Sequence, residues 1–137
     1  MTTASIYALP AFSSSMQNAL QALAINNEGE VVGYAESDTG SNAASWVNRT
    51  VTDLGALPGD GFSNANGVND AGQVVGYSSA GPFNLSHAAL WQNGTVTEIS
   101  AAQDFGQANA INNSGQVVGV GGAAGAVAAP SSGRTAP

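Results

Sequence analysis

Short apolar runs punctuate this chain, and several do not alternate with polar residues. Val74-Val75-Gly76 and Ala89-Leu90-Trp91 put bulk on consecutive positions. Both faces of such an extended segment are apolar, as in a strand with sheets packed on either side. Two other segments do alternate. Val51-Thr52-Asp53-Leu54 and Val96-Thr97-Glu98-Ile99 carry a carboxylate at the same place, the pattern of an outer, partly solvated strand. The runs also recur: Ile25-Asn26-Asn27-Glu28-Gly29-Glu30-Val31-Val32-Gly33-Tyr34 is echoed from Val68 to Tyr77 and from Ile111 to Val120, each copy 43 residues from the next. A second block running from Ala43 through Trp46 to Leu54 matches Ala88 through Trp91 to Ile99 at an offset of 45. The extra residues fall before His87 and are recovered before Ile111, so insertions sit in connections while strands keep their lengths.

Each repeat therefore predicts four short strands, near residues 22–26, 30–35, 43–47 and 51–54 in the first copy. Asn93-Gly94 between two β-rich runs is a type I′ hairpin signal, because both residues accept positive φ; Asn48-Arg49 does the same job less comfortably. The turn between first and second strands reads Asn-x-x-Gly in every copy, with Asn26, Asn69 and Asn112 able to bond their own backbone. Gly33, Gly76 and Gly119 lie inside a strand, where glycine marks a bulge or the close approach of another backbone, and inter-blade packing would supply that approach.

A repeat of this length is a unit that cannot bury its own apolar face and must stack on its neighbours. The expected fold is all-β, with tandem repeats of about 43 residues forming four-stranded antiparallel β-propeller-like blades. A parallel β-helix is the rival, although its coils are usually shorter and lack the Asn-Gly hairpin. The chain divides into residues 1–21, a strand and loop completing a blade; 22–120, the tandem β-repeat domain; and 121–137, a Gly/Ala/Pro/Ser-rich tail expected to be disordered. Residues 5–9, before Pro10, read as a lone fourth strand. The count comes to about two and a half blades, and a closed ring needs at least about four. Head-to-tail association of two copies, the first strand of one completing the last blade of the other, would cover the open edges. The alternative is that the sequence is a piece of a longer array.

Composition narrows the partners. Of 137 residues only two are basic, Arg49 and Arg134, against nine acidic ones, for a net charge of −7. Such a field repels phosphate backbones, so nucleic acid is not an expected partner. With no cysteine there is no disulfide framework and no thiol nucleophile. No stretch approaches the roughly 20 apolar residues of a membrane helix, and no membrane insertion is expected. Residues 1–9 have no Lys or Arg and no long apolar run, so no signal peptide is visible.

The strings Ala24-Ile25-Asn26-Asn27-x-Gly29-x-Val31-Val32-Gly33 and His87-Ala88-Ala89-Leu90-Trp91-Gln92-Asn93-Gly94 resemble the HAF repeat of probable extracellular bacterial proteins. The likeness covers about residues 22–120. It departs at Ala89, where that family's motif has Phe, and in the first copy, which reads Asn42-Ala43-Ala44-Ser45-Trp46 without the His. The resemblance implies an extracellular or surface-associated repeat protein of no established activity.

Candidate chemistry is sparse. His87 is the only histidine, and its aligned partner is Asn42, which suits a polar cap at the start of a strand. No G-x-S-x-G motif occurs. Asn69-Asp70 and Asn26-Asn27-Glu28 offer oxygen ligands, but an Asx turn explains them without a metal. Trp46 and Trp91 share one place in the repeat, which favours core packing over sugar stacking. No cofactor is implied. The longer, more varied connections gather at one end of the blades, and loops there make the better binding surface. That end carries Asp60, Phe62, Asp104 and Phe105, a candidate ligand-binding rim; the alternative for the two Phe side chains is that they plug the gap between blades. The leading reading is a non-catalytic binding or structural module for a protein or glycan. The competing one is a glycan-active hydrolase or lyase in which Asp60 and Asp104 form an acid and base pair.

Overall fold

The computed structural model describes residues 8–13, 19–38, 40–81, 84–100 and 105–121, together with the backbone of a strand at 125–130. The architecture is all-β, and the described residues include no helix. β1 (Leu20–Ile25), β2 (Val31–Ser37), β3 (Gly40–Val47) and β4 (Thr50–Asp53) form one antiparallel sheet in chain order. β5 (Phe62–Val68), β6 (Val74–Ser79), β7 (Ser86–Gln92) and β8 (Thr95–Glu98) form a second. β9 (Gly106–Ile111), β10 (Gln116–Gly121) and β11 (Gly125–Pro130) form a third, of three strands.

The sheets share one register. Ile25 pairs with Val31, Val68 with Val74 and Ile111 with Val117. Each first strand slips by one residue before that pair, between Ala22 and Ala24, between Ala65 and Gly67, and between Ala108 and Ala110. The bulge explains the glycine opposite it. A Cβ on Gly33, Gly76 or Gly119 would run into the carbonyl oxygen of Gln21, Asn64 or Gln107 respectively. The crowding backbone therefore belongs to the adjacent strand of the same sheet, not to a neighbouring blade as the sequence suggested.

Turn chemistry follows the side chains. Asn48 and Arg49 have φ of 50° and 64°, and Asn93 and Gly94 have 53° and 77°, the paired left-handed residues of type I′ hairpins. In the turns between first and second strands, Asn26 Oδ1 accepts from the amides of Glu28 and Glu30. Asn112 Oδ1 accepts likewise from Ser114 and Gln116.

Two apolar layers hold the sheets together. Val32 and Ala43 of the first sheet meet Ala65, Val68, Val74, Ala89 and Trp91 of the second. Val75, Ala88 and Leu90 of the second meet Ala108 and Val117 of the third. Full burial of a side chain such as Val75 contributes about 1.5–3 kcal/mol. β6 is buried on both faces, as its unbroken apolar run requires, whereas β4 and β8 expose Asp53 and Glu98. On the far side of the first sheet, Leu9 and Phe12 pack against Trp46. Trp46 Nε1 donates to the Pro10 carbonyl at 2.7 Å, as Trp91 Nε1 donates to that of Gly55 at 3.2 Å. Residues 8–13 thus do for the first sheet what the connection after β4 does for the second. Leu9 is not in a strand, and residues 5–7 of the strand expected there lie outside the described residues.

β11 departs from expectation. The tail composition pointed to disorder from residue 121, yet Gly125–Pro130 pairs with β10 along its length, Gln116 opposite Pro130 through Gly121 opposite Gly125. The pairing is made by main-chain groups, which small residues supply as well as large ones, and it satisfies a β10 edge that would otherwise be bare. Residues 131–137 lie outside the described residues.

Candidate functional site

The connections between second and third strands, and between one sheet and the next, gather at the end of the sheets remote from the Asn-x-x-Gly turns. There a cavity of about 600 Å³ opens across all three sheets. Tyr34 comes from β2, Phe62 from the start of β5, Tyr77 from β6 and Phe105 from the residue before β9. The register explains this: Tyr34 and Tyr77 occupy equivalent places in their strands, and so do Asn64 and Gln107. Phe62 lies over Gly40 of β3, where a Cβ would press on its ring.

The polar lining consists of amides and hydroxyls. Asn64 Nδ2 donates to Tyr77 Oη at 3.4 Å, while Asn64 Oδ1 is buried without a hydrogen-bond partner. Gln107 Nε2 donates to Ser86 Oγ at 3.2 Å. No charged side chain lines the cavity among the described residues. Its surface offers aromatic faces and neutral hydrogen-bonding groups.

Of the four rim residues named from the sequence, the structure brings Phe62 and Phe105 together in this lining. Asp60 is engaged elsewhere. Its Oδ2 accepts from Ser78 Oγ at 2.6 Å and lies 4.0 Å from His87 Nδ1, and Ser78 Oγ in turn accepts from the Leu57 amide at 3.0 Å. Asp60 thus ties the connection after β4 onto β6 and does not line the cavity. Ser78 is fully buried with its hydroxyl committed on both sides, so the Ser78, His87 and Asp60 set presents no nucleophile. Asp104 lies outside the described residues. His87 is the second residue of β7, and the equivalent Asn42 instead donates to both carboxylate oxygens of Asp53, each at 3.1 Å.

Tyr34, Tyr77, Asn64 and Gln107 are not among the residues the sequence singles out as a rim. The signal was there: aromatic and amide residues each recur at the repeat spacing, inside strands where bulk alone reads as core.

At the opposite end the turns form a ladder. Asn26 Nδ2 donates to the Asn69 carbonyl at 2.9 Å, and Asn69 Nδ2 donates to that of Asn112 at 3.1 Å. Asp70 is the central rung. Its carboxylate accepts from the Asn27 amide and Nδ2 and from Asn113 Nδ2, while its own amide donates to Asn113 Oδ1. The hydrogen bonds from the Asn27 side chain and backbone, with that from Asn113, hold the Asp70 carboxyl below its ordinary value. No three His, Asp or Glu side chains group as metal ligands among the described residues. Likewise, no helix is long and apolar enough to cross a membrane.

The chain matches no protein-family model, no curated protein and no solved structure.

Proposed function

We propose that this chain is a non-catalytic β-repeat module, its sheets set like the blades of an incomplete β-propeller, that binds a neutral glycan in the aromatic cavity. The observation that carries the reading is the lining: Tyr34, Phe62, Tyr77 and Phe105 around amides and hydroxyls, with no charge among the described residues. Aromatic faces pack on the C–H faces of sugar rings, and convergent neutral polar groups fix orientation by hydrogen bonding to hydroxyls. An extracellular or surface setting belongs to the same proposal and comes from the likeness to the HAF repeat. The reading of Asp60 as half of a catalytic carboxylate pair loses support, because that side chain is committed to Ser78.

Titration calorimetry with neutral oligosaccharides tests this. Wild type should bind, and Phe62→Ala or Phe105→Ala should weaken binding by about tenfold or more while the fold, followed by circular dichroism, is retained. Absence of binding to any neutral glycan, or binding indifferent to both substitutions, would overturn the proposal.

A further inference from the structure

The two interfaces inside the chain are built on equivalent positions, Val32, Ala43, Ala65 and Val74 in the first and Val75, Ala88, Ala108 and Val117 in the second, and each outer sheet shows part of a third. Val32 and Val75 occupy one register position and are both 0% exposed, covered by the following sheet; Val118 holds that position in the third sheet and is 55% exposed. Val120, two residues on and on the same face of β10, is also exposed. The complementary half lies on the first sheet. Val68 is 8% exposed against its preceding sheet, while the equivalent Ile25 is 67% exposed. Ala65 and Ala108 are buried, while the equivalent Ala22 is exposed. The ladder stops in the same way. Asn69 Nδ2 donates both to Gln73 Oε1 at 2.7 Å and across to Asn112, whereas Asn112 Nδ2 donates to Gln116 Oε1 at 2.9 Å and meets no further sheet among the described residues.

We infer that the Val118 face of one copy of this chain seats on the Ile25 face of a second copy, repeating between molecules the interface found twice within one. Val118 then meets Ala22, Ile25 and Val31, as Val32 meets Ala65, Val68 and Val74. Asn112 Nδ2 donates its second hydrogen to the Asn26 carbonyl of the other copy. The occupant is a second copy because the required surface is one this chain carries, at the equivalent register positions and with the asparagine-to-carbonyl rung that joins its own sheets. The contact is heterologous, so the two faces involved are different and each copy retains one of each. It does not depend on what fills the cavity.

The test is light scattering on the full chain, from micromolar to submillimolar concentration, for wild type, Val118→Asp and Ile25→Asp. Both substituted side chains are exposed in the single chain, so folding, followed by circular dichroism, should be unchanged. Wild type should run at a multiple of 13.5 kDa and each variant at the mass of one chain. An equimolar mixture of the two variants should form a dimer, because the intact Val118 face of one meets the intact Ile25 face of the other. A monomeric wild type throughout, unchanged masses in the variants, or a mixture that stays monomeric would overturn the inference.

Discussion

Asn69 occupies the central rung of the turn ladder, and its removal should cost far more than removal of its outer equivalent. It is 3% exposed. Its Oδ1 accepts from the Gln73 amide at 2.9 Å, and its Nδ2 donates to Gln73 Oε1 and to the Asn112 carbonyl. Each such bond contributes about 0.5–1.5 kcal/mol net, and a buried donor left without a partner costs about 1–3 kcal/mol. Asn69→Ala removes three bonds and strands the buried Gln73 amide, so the expected loss is about 2–4 kcal/mol. Asn112 makes equivalent bonds within its own turn but is exposed, and water replaces what Asn112→Ala removes. Its cost should stay below about 1 kcal/mol. Both variants belong in the Val118→Asp background, so that self-association contributes to neither. Urea unfolding followed by circular dichroism reads the difference, and Asn69→Ala should lower the midpoint by about 1–2 M more than Asn112→Ala. Midpoints that fall together would contradict this expectation, since Asn69 is buried and bonded across to the third sheet while Asn112 is exposed.

Three further outcomes are expected. Gly76→Ala forces a Cβ into the Asn64 carbonyl and should destabilise by at least about 3 kcal/mol, while Gly94→Ala, at φ 77° with open space around it, should cost about 1 kcal/mol; thermal melts compare them. Because the folded-state pKa of Asp70 is depressed, its ionised form stabilises the protein above the ordinary carboxylate range, and that contribution is lost as pH falls through the folded value. Wild type should therefore lose stability more steeply than Asp70→Asn below about pH 4 in urea titrations, and parallel slopes would contradict the rung assignment. Trp91→Ala should cost about 3–5 kcal/mol by opening a void between the first and second sheets, whereas Trp91→Phe, which loses the bond to Gly55, should cost about 1 kcal/mol in the same melts.

Much of the fold was legible because its signals are local. The hairpins at Asn48-Arg49 and Asn93-Gly94 are written in residues that tolerate positive φ, and the Asn-x-x-Gly turns carry their own acceptor. The solvated β4 and β8 declare themselves by alternation. The cause of the strand glycines was not legible, since a one-residue slip in β1, β5 and β9 leaves no mark on composition. β11 escaped notice because its pairing is carried by backbone. At the cavity, Phe62 and Phe105 stood out as aromatics flanking variable connections, while Tyr34 and Tyr77 were hidden inside strands. Asp60 looked like a rim residue because its exposed setting in sequence says nothing of Ser78, a partner 18 residues away.

The sheets stack at the repeat spacing, and a nuclear Overhauser spectrum of the single chain reads that stacking atom by atom. The Gly67 α-carbon faces the Ala110 α-carbon across the gap between second and third sheets, and the Asn27 amide points at the Asp70 carboxylate across the first and second. Cross-peaks should join the α protons of Gly67 and Ala110, and the Asn27 amide with the β protons of Asp70. A spectrum with the expected contacts inside each sheet but none between residues 43 apart would contradict the stacking.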